Sequence, residues 1–494
     1  MCNTIQRRQF AKGLSLSALA TAGGRLRTTE ASPNQELVRS ADTGRPDFRV
    51  ELPRGRVPLS FIIDDSTCLV NMGKFCMPQF SATYPNRTDY QKPWRDWPDE
   101  IPDAFVRKFG QWCQQFGVKG KYSIVPYPAC VGWLDRVLPG WSQQQLGQSL
   151  DLVRELMMPN WDIHPEMITH TRVIDLKTGR PYADFSPAKM ENSYPQEDVS
   201  VDYLASYLAY ALRILKNCGL PCEGVTTPGG FGNRVKEKLP LAVAQSVHDV
   251  FAPEIKHYFK YIVDADESAE PKIEFCDVSG DNSVRGHGAE ERDFVVNVLA
   301  GTGDWFGGWD GVSTSRGDLY CNADASAGRM VDLIRRKQPA VMLCHWPGMY
   351  CNGEETGFRQ FQQVVQALHR RYGEQTLWMK VSEMARYWAT KHFVRISVDA
   401  GECSVQSRFA CPDFTFSVQQ SQVLSGDPRS AEWRFHQGSS QAPLKPVSSK
   451  EALTPGMVWQ GRDQGADSVD ASETEDRVWF CVDLPAGAST VVME

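Results

Sequence analysis

The stretch Val57-Pro58-Leu59-Ser60-Phe61-Ile62-Ile63-Asp64-Asp65-Ser66-Thr67 drives an apolar, β-branched run straight into two adjacent carboxylates. Val57, Leu59, Phe61, Ile62 and Ile63 give the near-continuous apolar pattern of a strand covered on both faces, as in a parallel sheet or barrel. Asp64 and Asp65 then fall at its C-terminal end, which in α/β barrels is where catalytic groups gather. Neighbouring carboxylates repel, so the pair needs either a cation that neutralises one of them or full solvation of both. A solvated Asp-Asp-Ser turn is the plainer alternative.

Working outward, strand and helix patterns alternate for most of the chain. Ile101 to Phe116 has helical spacing, residues 120–126 form a second strand, and Ser142 to Met158 returns to a helix. Trp161 to Thr171 reads as a third strand whose alternation, if regular, would put His164, Glu166, Ile168 and His170 on one face, while Pro165 argues for an edge or irregular first part. A helix over Val201 to Cys218 follows, then a short strand, Gly224 to Pro228, running into Gly229-Gly230-Phe231-Gly232. Further strands are predicted at Tyr258 to Val263, Phe294 to Leu299 and Ala340 to Cys344. The pattern predicts an α/β fold, an irregular (β/α) barrel over 57–392. After His392 the strands Val394 to Val398, Phe414 to Val418 and Val478 to Val482 lie among Gly, Ser and Pro turns. They predict a small all-β domain over 393–494, which either binds sugar or covers one side of the barrel. Residues 32–56 are polar and Pro/Gly-containing, as in a linker.

A length of 494 residues fits two domains. With 23% charged residues and a formal net charge of -7, the chain lacks the basic footprint of a nucleic-acid partner. No stretch is long and apolar enough for a permanent membrane helix. The 14 cysteines show neither zinc-knuckle spacing nor a regular disulfide framework, so most read as small core hydrophobes. Trp305 and Trp309, in the Gly-rich segment Gly303 to Gly311, are candidates for stacking on a sugar ring.

Three strand ends thus carry chemistry: Asp64 and Asp65, His170, and His345 with Trp346 after it. Only nine histidines exist, so two at strand ends carry information even though a lone one is more often structural. In this order the motifs resemble those of the polysaccharide deacetylase family (the NodB homology domain). Phe61-Ile-Ile-Asp-Asp65 looks like the first motif, which implies Asp64 as catalytic base and Asp65 as metal ligand. Glu166-Met-Ile-Thr-His-Thr171 looks like the second, implying His170 as a ligand. Thr226-Thr-Pro-Gly-Gly-Phe231 is similar to the third, a groove wall, implying substrate contacts at Pro228, Gly229 and Phe231. Leu343-Cys-His345 resembles the last, whose His is the general acid, with Trp346 beside it as a substrate contact.

The family places a second His four residues after the first, where this chain has Ile174. His164 or Asp175 would complete the ligand set. A third-motif Arg that tunes the base is replaced by Thr226. The resemblance implies a divalent metal, zinc foremost, and a hydrolase that removes N- or O-acetyl groups from a polysaccharide or oligosaccharide. Two rivals stand beside it. One is a glycoside hydrolase pairing Asp64 or Asp65 with Asp264 or Asp266 and needing no metal. The other is a catalytically inactive glycan-binding envelope protein.

At the N-terminus, Gln6-Arg-Arg-Gln-Phe-Ala-Lys-Gly13 and the short apolar run after it resemble a twin-arginine export signal over residues 1–31, with Arg7, Arg8, Phe10 and Lys12 on its pattern. That resemblance implies the twin-arginine machinery as a partner and a periplasmic or envelope location.

Overall fold

The structure, a computed structural model, describes residues 48–276, 293–307, 315–399, 401–423, 432–464 and 474–493. The signal-like segment 1–31, most of the expected linker and Trp309 lie outside the described residues. The chain divides into two compact units. One contains Arg56–His392, and the other joins the described residues up to Gly55 to those from Phe393 onward.

In chain order the first strands are β1 (Phe48–Val50), β2 (Val57–Asp64), β3 (Gly120–Ile124) and β4 (Trp161–Pro165). A hairpin of β5 (Ile174–Asp175) and β6 (Arg180–Pro181) precedes β7 (Gly224–Thr226), β8 (His257–Ile262) and β9 (Lys272–Phe275). The unit closes with β10 (Phe294–Ala300), β11 (Ala340–His345) and β12 (Thr376–Trp378). Every residue of β2 is buried, which is why its sequence shows no polar alternation. Its parallel neighbours are β3, β11 and β12, and β3 continues to β4.

The expected irregular (β/α) barrel of the deacetylase type is corrected by this topology. The strands of the first unit form a five-stranded parallel sheet of β11, β2, β3 and β4 with β12 on β2, and a separate four-stranded sheet in the order β7-β8-β10-β9. Strand β9 runs antiparallel to β10. Among the described residues no ladder joins the two sheets; single bridges join Glu166 to Thr226 and Asp304 to Leu343. Alternating strand and helix patterns specify parallel neighbours, but continuous closure depends on ladder length at every seam, and at these two seams the strand has already ended in a loop.

The second unit is also larger in its sheet than a small accessory module. Beyond the first unit follow β13 (Arg395–Asp399), β14 (Glu402–Ser407), β15 (Cys411–Gln419) and β16 (Trp433–Gln437). The last are β17 (Ser440–Pro446), β18 (Met457–Gln464), β19 (Thr474–Leu484) and β20 (Gly487–Met493). With β1 they make one nine-stranded mixed sheet. β1 lies in the stretch expected as linker, yet pairs antiparallel with β15, Phe48 opposite Val418. Arg477, fully buried on β19, is satisfied by Ser417 Oγ (2.9 Å), Ser417 O (3.0 Å) and Glu475 Oε2 (3.1 Å).

Helices α1 (Met72–Thr83), α2 (Asp103–Gln115), α3 (Gln143–Leu152) and α4 (Val201–Asn217) cover the first unit together with α5 (Leu239–Phe251) and α6 (Thr356–Tyr372). α3 begins with a capping box in which Ser142 and Gln145 exchange hydrogen bonds, and α4 begins with Ser200 accepting from Tyr203 N. Phe61 of β2 stacks on Phe361 of α6 at 4.5 Å between centroids and meets Trp161 and Phe306 edge-on. Fully buried among rings, it has no room to be replaced by water. Phe61→Ala is therefore expected to destabilise the first unit by about 3–5 kcal/mol. Urea unfolding followed by fluorescence measures this, and a loss below about 1 kcal/mol would show that the ring cluster is not what holds β2 to α6.

Candidate metal centre

The parallel register places the chemistry. His345 pairs across from Asp64, and Ile62 pairs with Lys121, so side chains from three strands meet beyond the carboxyl end of β2. Asp64 and Lys121 are both fully buried and form an ion pair of 2.5 Å. Lys121 Nζ also donates to Ser123 Oγ (2.7 Å) and to Ile63 O (3.1 Å), so its three protons are all used. Asp65 follows with φ of 60°, a left-handed conformation unusual for a non-glycine residue, which turns its side chain away from the line of the strand.

The segment after β4 is where the structure departs most from the expected strand. β4 stops at Pro165, and Met167 (φ 55°) and His170 (φ 61°) are both left-handed, so 166–171 curls instead of extending. Strand alternation therefore does not bring Glu166 and His170 to one face; the curl does. Glu166 Oε2 accepts the backbone N–H of Asp65 at 2.7 Å, which ties the end of β2 to the end of β4. Its other oxygen, Oε1, lies 3.4 Å from His170 Nε2, and His170 Nε2 lies 2.7 Å from Asp65 Oδ1. These ligand atoms all fall within 4.8 Å of one another.

Asp65 Oδ1 and Glu166 Oε1 are buried and accept no hydrogen bond. Short separations without hydrogen-bond alignment are those of lone pairs facing a common point, and two carboxylate oxygens with one imidazole nitrogen fit a divalent cation. Among the described residues this Asp-Glu-His group is the cluster that could hold a metal ion. Burial pushes the His170 imidazole towards neutrality, but the Asp65 and Glu166 charges outweigh it and hold the ring well above its ordinary range. Burial and the Asp64 charge push Glu166 up, yet with His170 beside it the carboxyl lies below its ordinary range. A cation needs the His170 lone pair, so its binding would release a proton.

The strand end of β11 carries a second pair. Asp304, following β10, accepts from His345 Nδ1 at 2.7 Å and from His345 N at 3.2 Å, while its other oxygen accepts from Phe306 N at 3.0 Å. Burial works against a charged His345, but the Asp65 charge and the Asp304 hydrogen bond outweigh it and push the imidazole up to about 9. Glu166, Lys121 and Asp304 were not among the sequence candidates. Asp304 had a visible signal in its place just past an apolar strand, whereas Lys121, inside a strand of residues 120–126, had none.

Other sequence candidates lie elsewhere, and their placements correct the expectation. His164 is not a ligand of this group; its Nε2 meets His257 Nε2 at 2.8 Å and its Nδ1 faces Thr226 Oγ1 at 3.3 Å. Asp175 is spent on a turn, accepting from Lys177 N (2.9 Å) and Thr178 Oγ1 (3.2 Å). Phe231 is fully buried against Tyr194 and Tyr207, and Trp346 is buried against Phe105, Phe109 and Tyr122, so neither ring can stack on a sugar. Pro228 is buried, and Gly229 is partly exposed in a left-handed turn at φ of 42°. Trp305 is partly exposed, edge-on to Tyr320. The thirteen cysteines from Cys68 onward are free thiols.

No protein-family model matches the chain, and no curated protein matches it at a significant level.

The His164–His257 pair makes a prediction of its own. Burial holds His164 well below its ordinary range and His257 down to about 4. The unfolded chain takes up the His257 proton near 6.5, so between about 6.5 and 4 it binds more protons than the folded chain, and stability falls as pH falls. One such group contributes a slope of about 1.4 kcal/mol per pH unit. Urea midpoints of the wild type and His257→Asn at pH 7 and pH 5 test this. The wild type is expected to lose more between the two pH values, and equal losses would contradict a buried neutral pair.

Proposed function

We propose that the protein is an exported, metal-dependent hydrolase that removes acetyl groups from a polysaccharide or oligosaccharide. The observation that carries the reading is the buried convergence of Asp65, Glu166 and His170 beside Asp64–Lys121 and Asp304–His345. The motif resemblance at Asp64-Asp65, His170 and His345 supplies the substrate class, and the Arg7-Arg8 segment supplies the export route.

Asp65, Glu166 and His170 would hold the cation. A bound divalent metal, zinc foremost, supplies a Lewis acid that acidifies a water molecule and polarises an acyl carbonyl. Asp64 takes the proton of the attacking water; its ion pair with Lys121 holds the carboxylate in place and supplies the countercharge that Thr226 does not. His345 protonates the leaving amine or alcohol. With Nδ1 committed to Asp304, its Nε2 is the nitrogen left to donate, and the raised pKa keeps it protonated at neutral pH.

Metal content and acetate release from acetylated oligosaccharides test the reading together. The purified wild type is expected to carry about one divalent ion per chain, and His170→Ala and Glu166→Gln to lose it along with acetate release. Cleavage of the oligosaccharide into shorter chains that survives chelation, without acetate release, would instead favour a metal-free glycoside hydrolase, and metal binding with no hydrolysis an inactive glycan-binding protein.

The Asp304–His345 pair has its own signature. Asp304→Asn is expected to shift the alkaline limb of kcat to lower pH, because the imidazolium loses its anionic partner, with little change in KM. A limb that stays in place would remove His345 as the acid.

A further inference from the structure

Glu191 sits behind the metal centre without joining the converging ligand atoms, and its hydrogen bonds account for the curl that the ligands require. It is fully buried, on a single turn at Glu191–Ser193. Its Oε2 accepts from Thr169 N at 3.0 Å and His170 N at 2.6 Å, and its Oε1 from Ile168 N at 3.2 Å and the Tyr207 hydroxyl at 2.5 Å. Its own N–H donates to Thr171 O at 2.7 Å. Three successive amides aimed at one carboxylate form a concave anion cradle, which an extended strand cannot make because its N–H groups alternate in direction.

The energetics favour the cradle. Met167 and His170 are held in the left-handed region that non-glycine residues avoid, and the three N–H bonds to Glu191 together with the Tyr207 hydroxyl offset that strain. Had the strand continued, His170 would lie roughly 13 Å beyond Glu166, at about 3.3 Å per residue. In the curl the two ligand atoms are 3.4 Å apart. Tyr207 extends the brace, since its hydroxyl accepts from Ile174 N at 3.2 Å while donating to Glu191.

We infer that Glu191, braced by Tyr207, is the positioning residue of the metal centre: by gathering the amides of 168–170 it sets Glu166 and His170 on one cation. The inference rests on the metal-centre reading above.

The test uses the full-length, metal-free protein with Co(II) as probe, its affinity measured by chelator competition and its coordination by visible absorption. Glu191→Gln is expected to bind Co(II) roughly 10- to 100-fold more weakly with an altered spectrum, and Tyr207→Phe to show a smaller loss in the same direction. Unchanged affinity and spectrum in a folded Glu191→Gln protein overturn the positioning role. Should Glu191→Gln fail to fold, Glu191→Asp decides, because it keeps the charge but withdraws the carboxylate from the amides of 168–170; wild-type affinity and spectrum there are equally fatal. His170→Ala separates the two claims. A wild type that takes no Co(II) sinks the metal centre and this inference with it. If instead the wild type binds, His170→Ala does not, and Glu191→Gln is indifferent, only the positioning role is lost.

Discussion

Buried negative charge is the constraint around which the first unit is arranged. Asp64, Asp65, Glu166 and Asp304 at or just past strand ends, and Glu191 on the turn behind them, are withdrawn from water, and an isolated carboxylate in such surroundings is too costly to survive unanswered. Each is answered differently. Lys121 neutralises Asp64, His345 neutralises Asp304, and three amides with a phenol surround Glu191, whose carboxyl burial nonetheless raises to about 7. Asp65 and Glu166 share His170 between them, and each retains an oxygen with no hydrogen bond. One imidazolium against two carboxylates leaves an excess of negative charge at this point, and that excess is what a divalent cation would cancel.

Much of the scaffold was legible because it rests on local pattern. The run Val57 to Ile63 is a fully buried strand, and the strands near 120, 224, 258, 294 and 340 fall close to where apolar runs placed them. Two features were not legible. Closure of the sheet depends on ladders between strands far apart in sequence, and the apolar runs at Gly224 and Phe294 say nothing about whether a seam holds one bridge or five. The residues that complete the site escaped for a related reason. His164 and Asp175 are as plausible as Glu166 when spacing is measured along a strand, and only the left-handed turns at Met167 and His170 make Glu166 the neighbour. Lys121 sits within a strand, where a lysine normally means an exposed edge, and nothing local shows that Asp64 waits on the adjoining strand.

The bridges at the two sheet seams also explain why ligands and partners cluster there. Each seam is spanned by a residue of the site or its immediate support, Glu166 at one and Asp304 at the other. A strand that has stopped pairing is free to turn, and a turning backbone is what allows a side chain to be aimed inward instead of alternating across a face.

The second unit carries a different consequence, one of timing during synthesis. Its sheet needs β1, made before the first unit, and β15 and β19, made after it, so the ladder between Phe48 and Val418 spans the whole of the intervening unit. On a ribosome this early strand must wait, its backbone groups without their β15 partners, until the first unit and β15 have emerged. Strand β1 is three residues long, and the polar anchors Arg49 within it and Glu51 and Arg54 after it find Glu475, Ser417 and Asp413 on the late strands. So short and polar an edge is a poor template for pairing with other nascent chains while it waits.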